Sequence, residues 1–321
     1  MSGRENIKFV GKGLTDMPFL IPIMKHMGIT EIYTDNTPVA TTLGLIPISL
    51  SQLNKENIIV SCWGGLMKEL ELKGFNRKIF TVHGACNYCG CLANMQGTNY
   101  RWELVAGPMQ RDFRVRSGKK SHEVIVTGFP KTDPLAKNPG IDHLLRKKIM
   151  GNDKKTVLWA PPGHEDYVNK YIGIMEKIAI DYDINVICKL HAGGRHLPLF
   201  KGKLQNKHIQ IVWDDEYTTV PLMQISDILV SGHSSVPFEF TITDRPIISS
   251  ALYSHDLIND HTSSVEVGLD KLESTIIGSL DNPGKYVNLA EREKLRNYTF
   301  SYLGTATEKT VEQIDKISKV T

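Results

Sequence analysis

The sequence contains no uninterrupted apolar run of about 18 residues, the length that a membrane-spanning helix needs. Its first apolar stretch lacks the small-residue cleavage pattern of a secretory signal, so we expect a cytoplasmic protein. It has only 5 cysteines, and an odd number without an export signal favours reduced thiols over a disulfide framework. There is no internal repeat, no low-complexity tract and no complete GxGxxG fingerprint, because Gly11-Lys12-Gly13 supplies only a fragment of one. These absences argue against a membrane span, a disulfide-stabilised fold and a dinucleotide site.

The charge of the chain is nearly balanced. Its 38 basic and 35 acidic residues give a net charge of +3, which does not indicate a nucleic-acid partner. Basic clusters at Lys119-Lys120 and Arg146-Lys147-Lys148 are compatible with weak peripheral attachment to the inner membrane face, but solvated surfaces explain them more simply. A length of 321 residues, 41% of them hydrophobic, is enough for two domains that each bury a core.

Short apolar runs alternate with helical patterns along the whole chain, as in a parallel α/β protein. A charged segment with proline and glycine, residues 134–155, separates two such series. We therefore predict two Rossmann-like domains facing a central cleft, over residues 1–140 and 150–300, with a C-terminal helix over residues 301–321. The strands predicted for the first sheet are 7–10, 31–34, 57–61, 78–82, 102–106 and 123–127, and those for the second are 156–160, 185–190, 209–213, 227–231 and 246–249.

The stretch TVHGACNYCGC, residues 81–91, contains one histidine and three cysteines. Together, His83, Cys86, Cys89 and Cys91 offer the four donors of a tetrahedral zinc site. Their setting also fits another interpretation, because an apolar run ends directly before His83 and a glycine follows it. Ligands of parallel α/β proteins collect at such strand-to-loop junctions.

Polar or glycine-bearing motifs follow five of the predicted strands, all at the predicted cleft. In chain order they are HG (83–84), TGFPKTD (127–133), APPG (160–163), KLH (189–191) and SGHSS (231–235). This series resembles the family of CDP-glycerol glycerophosphotransferases, the teichoic-acid polymerases and primases of GT-B architecture. Members of that family carry HG, TGYPRxD, YAPT, KxHP and DYSS motifs in this order, followed by xxFDxxxxxxPxI. The resemblance runs from about His83 to Ile247 and implies an α/β GT-B fold with an N-terminal acceptor domain and a C-terminal nucleotide-donor domain.

The chain departs from the family pattern at four places. This chain has Gly232-His233 in place of the family's Asp-Tyr and Lys131 in place of the family's Arg. It has Ala192 in place of the family's Pro and Glu239 in place of the family's Asp. These departures concern the donor site, so the identity of the activated donor stays open.

The resemblance assigns catalytic roles to His83 and His191. Transfer of a polyol phosphate requires a base for the attacking hydroxyl, and a neutral imidazole near pH 7 suits that task. Gly84 lets the loop after His83 pass close to a substrate. His191, next to Lys189, is expected to bind phosphate charge or to assist the leaving nucleotide. The simpler alternative for His83 is a loop histidine without a chemical role.

The second half of the resemblance implies a site for a nucleotide diphosphate. Ser234 and Ser235 lie at the start of a predicted helix. Their hydroxyls, the first N–H groups of the helix and the helix dipole together favour an anion. The simpler alternative is that the two serines only cap the helix. The residues that the resemblance places at the donor are Lys189, Arg195, Ser234, Ser235, His233, Glu239, Gly128 and Lys131.

Neither a cofactor nor a metal is expected. Phosphoryl transfer of this kind can use positioned histidines and cationic groups for charge. If His83 is the base, it cannot also be a zinc ligand. The three cysteines of residues 81–91 also lack a second distant pair at zinc-ribbon spacing. We interpret them as small residues that fill a tight loop.

Three classes of function remain open. The first is a transferase that moves glycerol phosphate, or a related polyol phosphate, from a CDP-activated donor to a cell-surface glycan or lipid-linked acceptor. The second is a sugar-nucleotide enzyme of similar architecture, such as a UDP-sugar glycosyltransferase or a UDP-N-acetylglucosamine 2-epimerase, because VTGFPKTD and SGHSSVPFEF are similar to segments of those enzymes. The third is a degenerate domain that binds a glycan or a partner protein, since the Asp-Tyr pair is absent.

Overall fold

The computed structural model describes residues 3–14, 16–85, 101–161, 165–190, 208–212, 218–232, 234–250 and 264–320. The chain divides into two compact units. The first unit comprises residues 1–134 and 297–321, and the second comprises residues 135–296. Among the described residues, no helix combines the length and the apolarity needed to cross a bilayer.

The first unit is built on parallel strands. They are β1 (Ile7–Phe9), β2 (Glu31–Tyr33), β3 (Ile46–Ile48), β4 (Ile58–Ser61), β5 (Lys78–Thr81), β6 (Trp102–Val105) and β7 (Val124–Val126). Five of them form one sheet in the order β1-β4-β5-β6-β7, while β2 and β3 form a separate pair. A single bridge from Val10 to Tyr33 connects the end of β1 to β2. From β1, the chain therefore continues to β2 on one side and to β4, β5, β6 and β7 on the other side. This reversal of strand order between β1 and β4 is typical of a Rossmann-like sheet.

The prediction that residues 31–34 belong to the main sheet was wrong. Glu31–Tyr33 pairs with Ile46–Ile48, a three-residue strand that the sequence analysis did not identify. That strand contains Pro47 and a half-exposed Ile46, so it lacks the continuous apolar run by which buried strands are recognised.

The described residues form α-helices between most of the strands. They are α1 (Met17–Met27), α2 (Thr37–Thr42), α3 (Gly64–Leu72), α4 (Pro108–Arg116), α5 (Asp133–Lys137), α6 (His143–Met150), α7 (Glu165–Asp181), α8 (Thr219–Ile225), α9 (Val236–Phe240), α10 (Leu269–Asp281), α11 (Leu289–Thr299) and α12 (Ala306–Val320). Short 3-10 turns cover Gly3–Asn6, Leu50–Gln52, Ser121–Glu123, Pro130–Thr132, Thr241–Thr243 and Pro283–Tyr286.

Helix α1 shows why the first unit folds as it does. Its buried residues recur at helical spacing, so that one face packs into the core, and Gly28 ends the helix in the left-handed conformation with φ 71°. The C-terminal helix α12 adds Val311, Ile314 and Ile317 to the same core. The last segment of the chain therefore belongs to the first unit and completes its core.

The second unit contains a six-stranded parallel sheet. Its strands are β8 (Thr156–Ala160), β9 (Asn185–Lys189), β10 (Ile209–Val212), β11 (Ile228–Ser231), β12 (Ile247–Ser250) and β13 (Val265–Val267), in the order β10-β9-β8-β11-β12-β13. This is the strand order of a Rossmann fold, and it reverses between β8 and β11. Strand β13 was not predicted, because Glu266 interrupts its apolar pattern.

One face of this second sheet forms the core of its unit. Trp159, Cys188, Val230 and Ile248 lie side by side on neighbouring strands and belong to a buried cluster that includes residues of α7 and α10. Burial raises the pKa of the Cys188 thiol well above its usual range, so this cysteine acts as a small apolar residue.

Candidate active site

The candidate site in the first unit lies where the strand order reverses. Residues that follow the carboxyl ends of β1, β4 and β5 meet there: Asp16, Cys62, Trp63 and His83. Ligands of open α/β sheets bind outside the carboxyl ends of strands at such a reversal. His83 is thus at the kind of position that the sequence analysis predicted.

His83 is half-buried, and one of its ring nitrogens is fixed by the backbone. The Nδ1 atom lies 2.7 Å from the carbonyl oxygen of Cys62. A carbonyl oxygen only accepts hydrogen bonds, so Nδ1 must carry the proton. In the neutral imidazole the lone pair is then on Nε2, which is the tautomer that a general base uses to take a proton.

Two aromatic side chains flank the His83 ring. The ring centroid of Trp63 lies 5.8 Å away with the planes tilted by 33°, and that of Phe19 lies 5.9 Å away in an edge contact. Phe19 also stacks on Phe129 at 6.2 Å. The Lys131 Nζ atom lies 4.8 Å from the centroid of Phe19 and brings a positive charge to this cluster.

After β1, the Asp16 carboxylate binds backbone N–H groups that lie just before it in the chain. Asp16 is fully buried, and its side chain accepts hydrogen bonds from the N–H groups of Lys12 and Gly13, both at 2.7 Å. These are N–H groups that a phosphate-binding glycine-rich loop would offer to its ligand. Because Asp16 occupies them, the Gly11-Lys12-Gly13 fragment does not form a phosphate cradle here. Burial raises the pKa of Asp16 to about 6, against the opposing effect of these backbone hydrogen bonds.

Asp16 and Gln110 are site residues that the sequence analysis missed. The backbone carbonyl of Asp16 accepts a hydrogen bond from the Cys62 thiol at 3.2 Å, next to the carbonyl that holds His83. Gln110 is fully buried, donates to the carbonyl of Gly84 at 2.7 Å, and accepts from the N–H of Ala106 at 2.9 Å. It fixes the turn directly after His83. In the sequence nothing singles out Gln110, because the helix also buries the charged Arg114.

The TGFPKTD segment connects to the C-terminal helix. Gly128 has φ +85°, and a Cβ placed there would lie 2.4 Å from the carbonyl oxygen of Ser301. The carboxylate of Asp133 accepts hydrogen bonds from the N–H groups of Ala306 and Thr307, at 3.0 and 2.7 Å, at the start of α12. Gly128 and Asp133 thus hold the segment against residues 301–307 near the start of α12. Donor binding by Gly128 and Lys131 stays a prediction.

In the second unit, Lys189 is at the carboxyl end of β9. It is 5% exposed, and its Nζ donates to the carbonyl of Leu190 at 3.3 Å. It alternates with Cys188, so its side chain leaves the sheet on the face opposite the buried cluster. On β11, Ser231 donates to the carbonyl of Ala160 at 2.7 Å and joins the two strands at which the order reverses. Lys189 therefore brings a buried cation near this reversal.

The two serines that follow β11 differ in what they contact. The Ser234 hydroxyl accepts a hydrogen bond from the N–H of Val236 at 3.3 Å, whereas the Ser235 hydroxyl donates to the buried Glu239 carboxylate at 3.3 Å. Helix α9 has only five residues and Ser235 makes no side-chain cap bond. The dipole of this short helix is small, because only five peptide units add up in it. Anion binding by the two serines stays a prediction.

Several predicted residues lie outside the described part of the chain: His191, Arg195, His233, Cys86, Cys89 and Cys91. Within the described ranges, no group of three or more His, Cys, Asp or Glu side chains is arranged to hold a metal ion. The zinc question raised by residues 81–91 is not decided by this, because the three cysteines are not described. Their role as loop-filling residues stays a prediction.

Comparison with known proteins identifies the class to which this fold and site belong. The family model described as CDP-Glycerol:Poly(glycerophosphate) glycerophosphotransferase matches residues 78–260, more than half of the chain. The chain therefore belongs to the glycerophosphotransferase family, as the order of its strand-end motifs predicted.

The chain is similar to particular members of this family and to enzymes of related fold. It is 28% identical over 162 residues to the teichoic acid glycerol-phosphate primase of Bacillus subtilis, a match that covers 46% of this chain and 38% of that protein. The matched part is thus well under half of that relative's length. A structure of the wall teichoic acid polymerase TagF, soaked with CDPG, aligns over 98% of this chain and 89% of its own, with 15% identity and a TM-score of 0.68. The UDP-GlcNAc 2-epimerase of Neisseria meningitidis bound to UDP-GlcNAc covers 97% of this chain and 99% of its own, with 15% identity and a TM-score of 0.61. These likenesses confirm the predicted α/β fold of GT-B type.

Proposed function

We propose that the chain transfers glycerol phosphate, or a related polyol phosphate, from a CDP-activated donor to a hydroxyl group of a glycan or lipid-linked acceptor. Membership of the family supports the class of reaction. The observation that carries the proposal is the hydrogen bond between His83 Nδ1 and the Cys62 carbonyl, since it leaves the basic lone pair on Nε2. A nucleotide-activated donor is a cytoplasmic metabolite, so the proposal includes a cytoplasmic location.

In the proposed reaction, His83 acts as the general base. Its Nε2 takes the proton of the acceptor hydroxyl as the oxygen attacks the phosphorus that carries the glycerol. The new O–P bond forms while the bond from that phosphorus to the bridging oxygen breaks, and CMP leaves with the electron pair. The imidazolium then returns its proton to solvent, which restores the neutral base.

We assign donor binding chiefly to the second unit. Lys189 offers a buried positive charge, and Ser234 and Ser235 offer hydroxyls at the point where the strand order reverses. His191, Arg195 and His233 complete this proposed set, with His191 assisting the departure of CMP. Glu239, which holds the Ser235 hydroxyl, orients that serine for the donor. Gly128 and Lys131 are proposed to contribute from the first unit.

Calorimetry with CDP-glycerol, CDP, UDP-GlcNAc and UDP tests this function. The proposal predicts that CDP-glycerol binds at least about tenfold more tightly than UDP-GlcNAc, a difference of about 1.4 kcal/mol. A preference for the UDP compounds would support a sugar-nucleotide enzyme instead. Failure to bind any of the four would support a degenerate glycan-binding or protein-binding domain.

A further inference from the structure

The side chain of Gln110 connects the ends of two neighbouring strands beside His83. It is fully buried at the third position of α4. Its carboxamide oxygen accepts from the N–H of Ala106, directly after β6, and its amide nitrogen donates to the carbonyl of Gly84, two residues beyond the ladder of β5. An N–H only donates and a carbonyl oxygen only accepts, so the two partners fix which way the amide points. The side chain therefore acts as an additional peptide group between the ends of β5 and β6.

The backbone of His83 is held against β6 on both sides. Before it, the N–H of Val82 donates to the carbonyl of Leu104 at 3.3 Å. After it, the carbonyl of Gly84 accepts from Gln110 at 2.7 Å. A third contact, from Nδ1 to the carbonyl that follows β4, holds the ring itself. Loss of the second contact would free the main chain on one side and let the ring move.

The strand end that binds Gln110 is itself fixed. The carbonyl of Ala106 accepts a hydrogen bond from the N–H of Ser301 at 2.9 Å. A Cβ added at Gly107 would collide with the carbonyl of Thr299, so the two chain segments are in close contact here. The amide of Gln110 thus ties the turn that carries the proposed base to a firmly held part of the first unit.

We infer that Gln110 is a positioning residue for His83, and that its bond to Gly84 keeps Nε2 where the acceptor hydroxyl must lie. Gln110 is fully buried, so it acts through the turn and not on the substrate. Displacement of a reacting group by about 1 Å lowers a rate about 10²-fold, so a small movement of the turn is sufficient to slow the reaction. Methionine at this position would offer neither hydrogen bond, and a carboxylate would only accept. The inference rests on the proposed function, because it takes His83 to be the base.

A spectroscopic measurement that requires no turnover tests the position of His83. Labelling with ¹⁵N-histidine gives ring signals for the 11 histidines, and those of His83 are identified by their loss in His83→Gln. In alkaline buffer, wild type should show the Nδ1–H tautomer at His83. Gln110→Met should shift these signals and add the Nε2–H tautomer, because the ring leaves the carbonyl of Cys62. Arg114→Lys is the matched control, since Arg114 lies on the same helix but binds Glu103. It should lower the free energy of unfolding and leave the His83 signals in place.

Single-turnover release of CMP from CDP-glycerol supplies the second test. Gln110→Met should lower the rate about tenfold, because the base is displaced, while the Kd of CDP-glycerol stays within about twofold of wild type by calorimetry. In a His83→Ala background the same substitution should change the rate by less than about twofold, because no base is left to position. Equal rate losses in both backgrounds, or a donor affinity that falls as far as the rate, would show a purely structural role and overturn the inference.

Gln110→Glu replaces Gln110→Met if the latter does not fold. In alkaline buffer its carboxylate still accepts from Ala106 and donates nothing to Gly84, so the same spectral shift and rate loss are expected. The proposed function and the positioning role fail separately. A His83→Ala variant with the wild-type rate would contradict the proposed base, whereas unchanged His83 signals in a folded Gln110 variant would contradict the positioning role.

Discussion

The Nδ1 atom of His83 lies 2.7 Å from the carbonyl oxygen of Cys62, which ties the loop after β5 to the loop after β4. This contact places the proton of the neutral imidazole on Nδ1, because a carbonyl oxygen only accepts hydrogen bonds. The carbonyl is in turn part of a backbone segment held by the Cys62 thiol and the carbonyl of Asp16. Main-chain geometry at the strand reversal therefore fixes the orientation of the proposed base.

Replacing both Ser234 and Ser235 by Ala should weaken nucleotide-diphosphate binding by about 1–3 kcal/mol, because hydrogen bonds to a charged group are lost. Calorimetry with CDP-glycerol measures the effect. Ser226→Ala is the matched control, since the buried Ser226 hydroxyl donates to the carbonyl of Leu222 and serves only the fold. That control should lower the free energy of unfolding and leave donor affinity intact. Equal donor affinity in the double mutant and the wild type would remove the serines from the donor site.

The raised pKa of Asp16 predicts a pH-dependent stability. Folded Asp16 has a pKa of about 6 against 3.8 for an aspartate side chain in water, so the folded state binds this proton more tightly than the unfolded state does. Its contribution to stability is greatest below about pH 4 and is lost as the pH rises to about 6. The free energy of unfolding of wild type, relative to Asp16→Asn, should fall by about 3 kcal/mol over this interval and then level off. Urea unfolding at a series of pH values measures it, and a flat or rising difference would refute the assignment.

Gly128→Ala should destabilise the first unit for two reasons. Gly128 has φ +85°, which alanine adopts only with strain, and the added Cβ would meet the carbonyl of Ser301. Gly118→Ala separates the two effects, because Gly118 has φ +94° with nothing within 4 Å of an added Cβ. Thermal unfolding should show a loss of about 1–2 kcal/mol for Gly118→Ala and a clearly larger loss for Gly128→Ala. Similar losses in both variants would mean that the Ser301 contact is easily relieved.

Dialysis against a strong chelator should change neither activity nor thermal stability, because phosphoryl transfer here is assigned to histidines and cations. Elemental analysis of the purified protein provides the independent measurement. One zinc per chain that is lost in a triple Cys86, Cys89 and Cys91 to Ser variant would show that residues 81–91 form a metal site.

The sequence was most informative where buried strands end in distinctive motifs. The apolar runs that lead to His83, Lys189 and Ser231 predicted the strands, and the family resemblance of the motifs after them predicted the GT-B fold. Local patterns did not reveal β3, because its residues are partly exposed and include Pro47. The contacts of Asp16 and Gln110 were also beyond sequence reasoning, since each depends on which backbone groups the folded chain brings within hydrogen-bonding distance.

Single-turnover release of CMP from CDP-glycerol tests the role of His83 most directly. The rate is measured with a glycan acceptor in wild type, His83→Ala and His83→Gln. Both variants should bind the donor as wild type does, by calorimetry, and release CMP roughly 10²-fold more slowly, because the acceptor hydroxyl has lost its base. Variants that release CMP at the wild-type rate would contradict the assignment of His83 as the general base.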